Sequence, residues 1–278
     1  MYFSDIEDNR HVKKKKSFVN EMESNARKDL SSCLASFVPF VLSIPFLFVY
    51  YLHRLAIWTT LFFIVILFLV HFLVLQRFYS KPVFIRAHLL TLILTLGFIW
   101  TATSPAIGLF TVILSIFHLS EYLSVGLWCP RNLNISSFLL NHSPQYHAAI
   151  IIAYVEYFIE KYYFFPNGIP YHWILIICGL LIVICGEYLR KLAMFTAQQS
   201  FSHLIEDKPT DQHRLVTHGI YNIYRHPSYV GWFWWACGTQ ILLANPISFF
   251  IYLIVRQKKK FVRFIGFVFV LVDLVVLF

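Results

Sequence analysis

The chain has 278 residues, a formal net charge of +9, 58% hydrophobic residues and only 13% charged ones. A soluble domain carries about 25% charged residues and about 45–50% apolar ones. That contrast excludes a disordered chain, a coiled coil and an ordinary water-soluble enzyme, and it points to a polytopic membrane protein.

Residues 1–32 are polar and hold His11-Val12-Lys13-Lys14-Lys15-Lys16. No apolar core follows within a signal peptide's usual reach, and acidic residues intervene, so no cleaved leader is expected. The segment reads as a solvated cytosolic tail whose lysines can touch anionic lipid. Apolar runs follow at about 34–52, 55–75, 87–103, 105–128, 146–164 and 172–190. A helix needs about 20 apolar residues to cross the hydrocarbon core, and most of these runs are long enough. The third is short, and Ser104-Pro105 separates it from the fourth by a tight turn. Barrel-type alternation is absent, so helices are the viable spans.

The basic residues lie between the runs, as topology determinants do, and no nucleic-acid partner is expected. With the amino terminus in the cytosol, six alternating spans leave only Arg54 and Lys161 outside, of 23 Lys and Arg residues in all. Residues 191–228 are then cytosolic. Residues 229–255 are apolar again but broken at Asn245-Pro246. Proline removes a helix donor, so a short membrane hairpin fits. It also returns Arg256-Gln257-Lys258-Lys259-Lys260 to the cytosol. Residues 264–278 are marginal for a full crossing.

The expected fold is an all-α polytopic transmembrane helical bundle of about seven to eight membrane helices, one pair forming the hairpin broken at Asn245-Pro246. Four segments follow: a polar cytosolic tail at 1–32, a six-helix bundle at 33–192, a cytosolic cofactor-binding segment with the membrane hairpin at 193–255, and a basic-apolar end at 256–278. The cysteines at 33, 129, 178, 185 and 237 form no C-x-x-C pair. They read as small buried hydrophobes, with no metal site. The sequons at Asn134 and Asn141 lie in a loop that this topology makes cytosolic, so neither is expected to carry glycan.

Ionisable residues at membrane depth are expensive and face a bundle interior or a wet cavity. His118 and Glu121, three apart in the fourth run, share a helix face. Glu156, Glu160 and Glu187 raise the same question. Two readings stand: hydrogen bonds between helices, or the lining of a cavity.

The polar stretch His213-Arg214-Leu215-Val216-Thr217-His218-Gly219-Ile220-Tyr221 continues through Asn222-Ile223-Tyr224-Arg225-His226-Pro227-Ser228-Tyr229-Val230-Gly231. Pro227 suits the first position of a helix. Arg225 and His226 then sit at its amino terminus, where the dipole and backbone donors favour an anion. Gly219 permits a turn that other residues resist. Tyr221 and Tyr229 offer flat faces. Such a set suits a nucleotide-like cofactor with a carboxylate. A polar loop capping a bundle is the other reading. No dinucleotide fingerprint and no catalytic triad spacing is present.

These residues resemble the isoprenylcysteine carboxyl methyltransferases. The resemblance covers roughly 90–247. It includes Phe117-His118-Leu119-Ser120-Glu121-Tyr122, Asn141-His142-Ser143, Gly186-Glu187-Tyr188-Leu189-Arg190-Lys191-Leu192-Ala193-Met194-Phe195-Thr196-Ala197, His213 through Gly231, Gly238-Thr239-Gln240 and Asn245-Pro246. The resemblance implies a multi-span protein of the endoplasmic reticulum membrane that methylates the carboxylate of a C-terminal prenylated cysteine, as on small GTPases. The donor it implies is S-adenosyl-L-methionine, held by His213, Leu215, Val216, Tyr221, His226, Pro227, Ser228 and Tyr229, with Glu206 at a position where the family commonly has Gln. No catalytic side chain is assigned, because a carboxylate is already ionised at neutral pH.

The family continues after Asn-Pro with a substrate-associated Arg and a Glu-Glu-x-x-Leu segment. Here the chain departs after about Ile247, and no Glu follows residue 206. Arg263 falls at about the distance of the substrate Arg. Two expectations follow from the missing Glu pair: a working methyltransferase, or a truncated or spliced inactive isoform that binds prenylated tails. The Arg-His-Pro-x-Tyr-x-Gly core alone would also suit a nicotinamide-dependent membrane sterol reductase.

Overall fold

A computed structural model of the chain describes residues 2–53, 57–141, 143–166, 172–203 and 215–255. Every regular element among them is helical: α1 Tyr2–Ala35, α2 Val38–His53, α3 Ile57–Leu75, α4 Lys81–Thr101, α5 Pro105–Trp128, α6 Pro144–Ile159, α7 His172–Ala197, α8 Ile220–Ile223, α9 Pro227–Leu243 and α10 Pro246–Val255. This is the all-helical architecture expected of a chain whose backbone groups must be satisfied inside lipid. Among the described residues, four stretches are long and apolar enough to cross a membrane, namely Ser17–Tyr51, Lys81–Thr101, Pro105–Trp128 and His172–Ser200, and Thr59–Leu75 is a shorter apolar helix. Packing divides the chain into two compact units, Met1–His142 with Glu187–Gly231, and Ser143–Gly186 with Trp232–Phe278.

In the first unit the segment read as a solvated tail is helix α1, and its last third enters the core. Ala26 and Cys33 are buried, and Cys33 packs with Val83, Ala87, Leu90, Leu119, Tyr122 and Phe138. The reason is periodicity: Ala26, Leu30 and Cys33 repeat at four and three residues, the spacing of one helix face. Leu30 fits so closely over Gly126 that a Cβ there would meet its side chain at 2.4 Å.

Helix α4 begins at Lys81, six residues before the expected run, because Pro82 near its start is tolerated where no donor is needed. The turn at 102–104 returns the chain directly into α5, with Ser104 donating from its backbone N to the Trp100 carbonyl at 2.9 Å. Gly108 lets the two helices close, since a Cβ there would fall 2.3 Å from the Thr101 backbone nitrogen. Several polar groups between the helices find backbone partners. Thr91 donates to the Ser36 carbonyl at 2.9 Å, and His88 Nε2 lies 3.0 Å from the Phe68 carbonyl. His118 Nδ1 lies 2.8 Å from the Phe138 carbonyl.

In the second unit, Ser143 caps α6 by accepting from the Tyr146 backbone N at 3.2 Å. A π-turn at Glu160–Phe164 ends that helix. Gly179 and Gly238 allow close backbone approach: a Cβ on Gly179 would meet the Gly238 carbonyl oxygen at 2.7 Å. Small residues at such a crossing are how helices pack where lipid offers no hydrophobic drive. The chain breaks at Asn245-Pro246 as expected, with Ala244 in the left-handed region at φ 60°. Asn245 donates to the Ala153 carbonyl at 2.8 Å. Beyond the break, Glu156 accepts from the backbone N of Ile247 at 2.6 Å and of Ser248 at 2.8 Å. Its carboxylate thereby satisfies orphan donors of α10.

Candidate functional site

The polar stretch ending at Gly231 rests on the last turns of α5 and α7, within the first unit. Val125, Cys129, Met194, Ala197 and Phe201 are buried there, and Val216 and Tyr221 pack against them. The chain leaving α7 is tied down by side chains. Cys129 Sγ donates to the Gln198 carbonyl at 2.8 Å, and Asn132 donates to the Phe201 carbonyl at 2.8 Å. Burial pushes the Cys129 thiol up to about 12, so it remains a neutral donor at physiological pH. Burial also pushes the Tyr221 phenol upward, with Cys129 acting in the same direction and Arg190 opposing.

Gly219 makes the turn that its sequence position predicts. Its φ is +59° and its ψ −133°, a region that costs a residue with a Cβ. The four-residue α8 follows, then Arg225 and His226. The His226 carbonyl accepts from the backbone N of Tyr229 at 3.1 Å and of Val230 at 3.2 Å. His226 therefore stands at the amino terminus of α9, where expected, and Pro227 occupies the first helical position. Pro227 is buried, while His226 and Tyr229 are exposed. Their rings meet edge to face, with centroids 6.2 Å apart.

Beneath this surface lies a charged cluster that reading the sequence did not assemble. Arg190 on α7 grips Glu121 on α5 with two parallel bonds: Nε to Oε1 at 2.7 Å and Nη2 to Oε2 at 2.7 Å. Such a fork is the strongest geometry a carboxylate can receive. Glu121 is 0% exposed and Arg190 6%. Lys191 Nζ also contacts Glu121 and reaches Glu187 at 3.0 Å, which accepts from Ser120 Oγ at 2.8 Å. His203 Nε2 lies 3.8 Å from Glu121. The remaining Arg190 nitrogen, Nη1, donates to Ser228 Oγ at 3.0 Å and to its carbonyl at 3.3 Å. Of the two readings of the intramembrane acids, pairing between helices therefore describes Glu121. His118, on the same helix face, meets the Phe138 carbonyl through Nδ1.

The residues assigned to the donor thus fall into groups. Leu215 is 90% exposed. Val216 and Tyr221 lie on the apolar ledge, Pro227 and Ser228 begin α9, and His226 and Tyr229 form its open rim. Glu206, His213 and Arg263 lie outside the described residues. Arg190 is the residue that sequence reasoning missed. Its signal was an arginine followed by a lysine, in an apolar helix, one turn after Glu187.

The isoprenylcysteine carboxyl methyltransferase family profile matches residues 177–264. The chain is 45% identical over 180 residues to a protein-S-isoprenylcysteine O-methyltransferase of Tribolium castaneum, covering 62% of this chain and 63% of that one. The Homo sapiens enzyme of the same name is 47% identical over 140 residues, covering 50% and 49%. The chain thus aligns with about half to two thirds of the length of these relatives. A solved structure, the eukaryotic intramembrane Ras methyltransferase, superposes with a TM-score of 0.72 at 37% identity, covering 81% of this chain and 83% of the other. A likeness that spans most of both chains at this identity goes beyond a shared helical architecture. The chain is a multi-pass intramembrane protein and belongs to the isoprenylcysteine carboxyl methyltransferase family.

Proposed function

We propose that the chain transfers a methyl group from S-adenosyl-L-methionine to the carboxylate of a C-terminal prenylated cysteine, as on processed small GTPases. It acts in the endoplasmic reticulum membrane, with its amino terminus and the 191–228 segment facing the cytosol. The observation that carries this reading is the 215–231 segment, seated on an apolar ledge and ending at an exposed histidine–tyrosine rim on a helix amino terminus.

The residues present fit the donor. The His226 and Tyr229 rings offer faces and edges to a planar base. The amino terminus of the 17-residue α9 favours a carboxylate. Leu215, Val216, Tyr221, Pro227 and Ser228 complete the contact set, to which the resemblance adds Glu206 and His213 by motif alone. When bound, the donor supplies an electrophilic sulfonium methyl: the carboxylate oxygen forms the new C–O bond, and the C–S bond pair returns to sulfur.

The chain's own residues need supply neither a strong base nor a metal for this step, because the acceptor is ionised at neutral pH. Their work is alignment, which contributes up to about 7–11 kcal/mol when reacting atoms are held in line. Opposite charges neutralise as the bond forms, so an apolar surround such as the ledge favours the transition state over solvated reactants. The lipid-facing helices give a prenyl tail an apolar route, and the polar segment gives a soluble donor a cytosolic one.

The test is binding of S-adenosylhomocysteine to the purified chain in detergent, by calorimetry, alongside tritiated methyl transfer to a farnesylcysteine analogue. Saturable binding with transfer is expected, both reduced at least tenfold in His226→Ala with Tyr229→Ala. Binding of the prenylated analogue without transfer would replace this reading with that of an inactive prenyl-binding isoform.

A further inference from the structure

We propose that Arg190 is the positioning residue of the donor site, holding the start of α9 in register through Ser228. The inference rests on the donor reading above and deepens it. Ser228 follows Pro227 at the start of α9, between His226 and Tyr229. At the first helical position a proline's missing donor costs nothing, and it also ties that position to nothing outside the helix. Arg190 supplies an anchor from outside, donating from one nitrogen to both the hydroxyl and the carbonyl of Ser228.

An arginine alone could not do this reliably, because a long side chain has many rotamers. Here the other two nitrogens are committed to Glu121, and the guanidinium lies over the Phe117 ring at 5.6 Å. Lys191 competes for Glu121 without displacing the fork, being shared with Glu187. The guanidinium plane is thus fixed from α5 before it reaches α9. Glu121 orients Arg190, Arg190 orients Ser228, and Ser228 sets where the exposed His226 and Tyr229 rings stand. Arg190 is 6% exposed and its three nitrogens are committed to Glu121 and Ser228, so its role is exercised through Ser228.

The test is a double-mutant cycle on the full chain, read as S-adenosylhomocysteine affinity with thermal unfolding measured in parallel. Arg190→Lys keeps a cation for Glu121 but loses both the fork on it and the third nitrogen that reaches Ser228. Ser228→Ala removes the hydroxyl alone. Each is expected to weaken binding about tenfold, and the double variant no more than Arg190→Lys alone, because both break one linkage. Wild-type affinity in a folded Arg190→Lys, or losses that multiply in the double variant, would overturn the proposal. A folded wild-type chain that binds no S-adenosylhomocysteine would instead remove the donor reading, and this inference with it. Should Arg190→Lys not fold, hydrogen exchange in Ser228→Ala decides. Faster exchange over 226–231 with weaker binding supports positioning. Unchanged exchange over 226–231 means that Ser228 does not hold the start of α9, and positioning by Arg190 is wrong whatever Ser228 contributes to the donor itself.

Discussion

Glu121 and Glu156 are both buried carboxylates among apolar helices, and the two units of the chain treat them differently. Glu121 is answered by side chains, an arginine fork with a lysine beside it. Glu156 is answered by backbone, the first amides of α10. A side-chain partner brings its own full charge, so the pair is costly to split. A backbone partner brings a partial charge that no substitution of that residue can remove, short of proline. The first arrangement leaves the Arg190 guanidinium a third nitrogen with which to reach a further element. The second fixes where one helix starts and ends there.

The largest effect that tests this difference is on Glu121. Glu121→Ala leaves Arg190 buried without its main partner and should cost about 3–5 kcal/mol, seen as a lowered unfolding temperature in detergent. Replacing both, Glu121→Leu with Arg190→Met, should recover most of that stability while losing donor binding. Equal losses in the single and double variants would mean that the charges are not what holds α5 to α7.

Next comes Glu156. Glu156→Ala abandons two amide donors and should cost about 1–3 kcal/mol. Glu156→Gln retains an acceptor oxygen and should cost less. If Gln proves as damaging as Ala in the same melts, charge and not acceptance is what α10 requires, and the contrast with Glu121 disappears. Smallest is Gly219→Ala, which places a Cβ in a conformation that disfavours it and 3.1 Å from the Thr196 methyl. It should cost about 1–2 kcal/mol. No loss there would show that the turn relaxes freely and that the ledge alone seats the segment.

How much could be read beforehand follows the range of each interaction. The helical runs, the turn at Ser104-Pro105, the break at Asn245-Pro246, the role of Gly219 and the start of α9 at Pro227 are all local, and local chemistry fixed them. Helix α1 was misread through its charge: the lysine run dominated the composition and hid the Ala26–Leu30–Cys33 face. The side-chain pairings within each unit are long-range. Arg190 and Glu121 are 69 residues apart, and Ile247 and Glu156 are 91 apart. A single sequence offers several acids and bases and no rule for matching them. The resemblance assigns the donor residues by motif, and it includes Arg190 in the Gly186–Ala197 stretch without giving it a role. Its importance appears only when its three nitrogens are followed to their acceptors.

Helix α7 has 26 residues, about 39 Å at the usual rise, against a hydrocarbon thickness of about 30 Å. Its charged residues, Glu187, Arg190 and Lys191, all lie in the half nearer Ala197. Hydrophobic mismatch therefore bears on the site directly. In a thicker bilayer the charged cluster is drawn toward the acyl chains, and the helix must tilt or thin the lipid around it to keep those groups near the headgroups. In a thin bilayer the same cluster stands clear. Donor affinity measured in nanodiscs of increasing acyl length should fall as the hydrocarbon overtakes Arg190, and a flat profile would show that tilt absorbs the difference. The chain carries its own depth gauge: the residue that aligns the site is also the one most sensitive to how far the membrane rises around it.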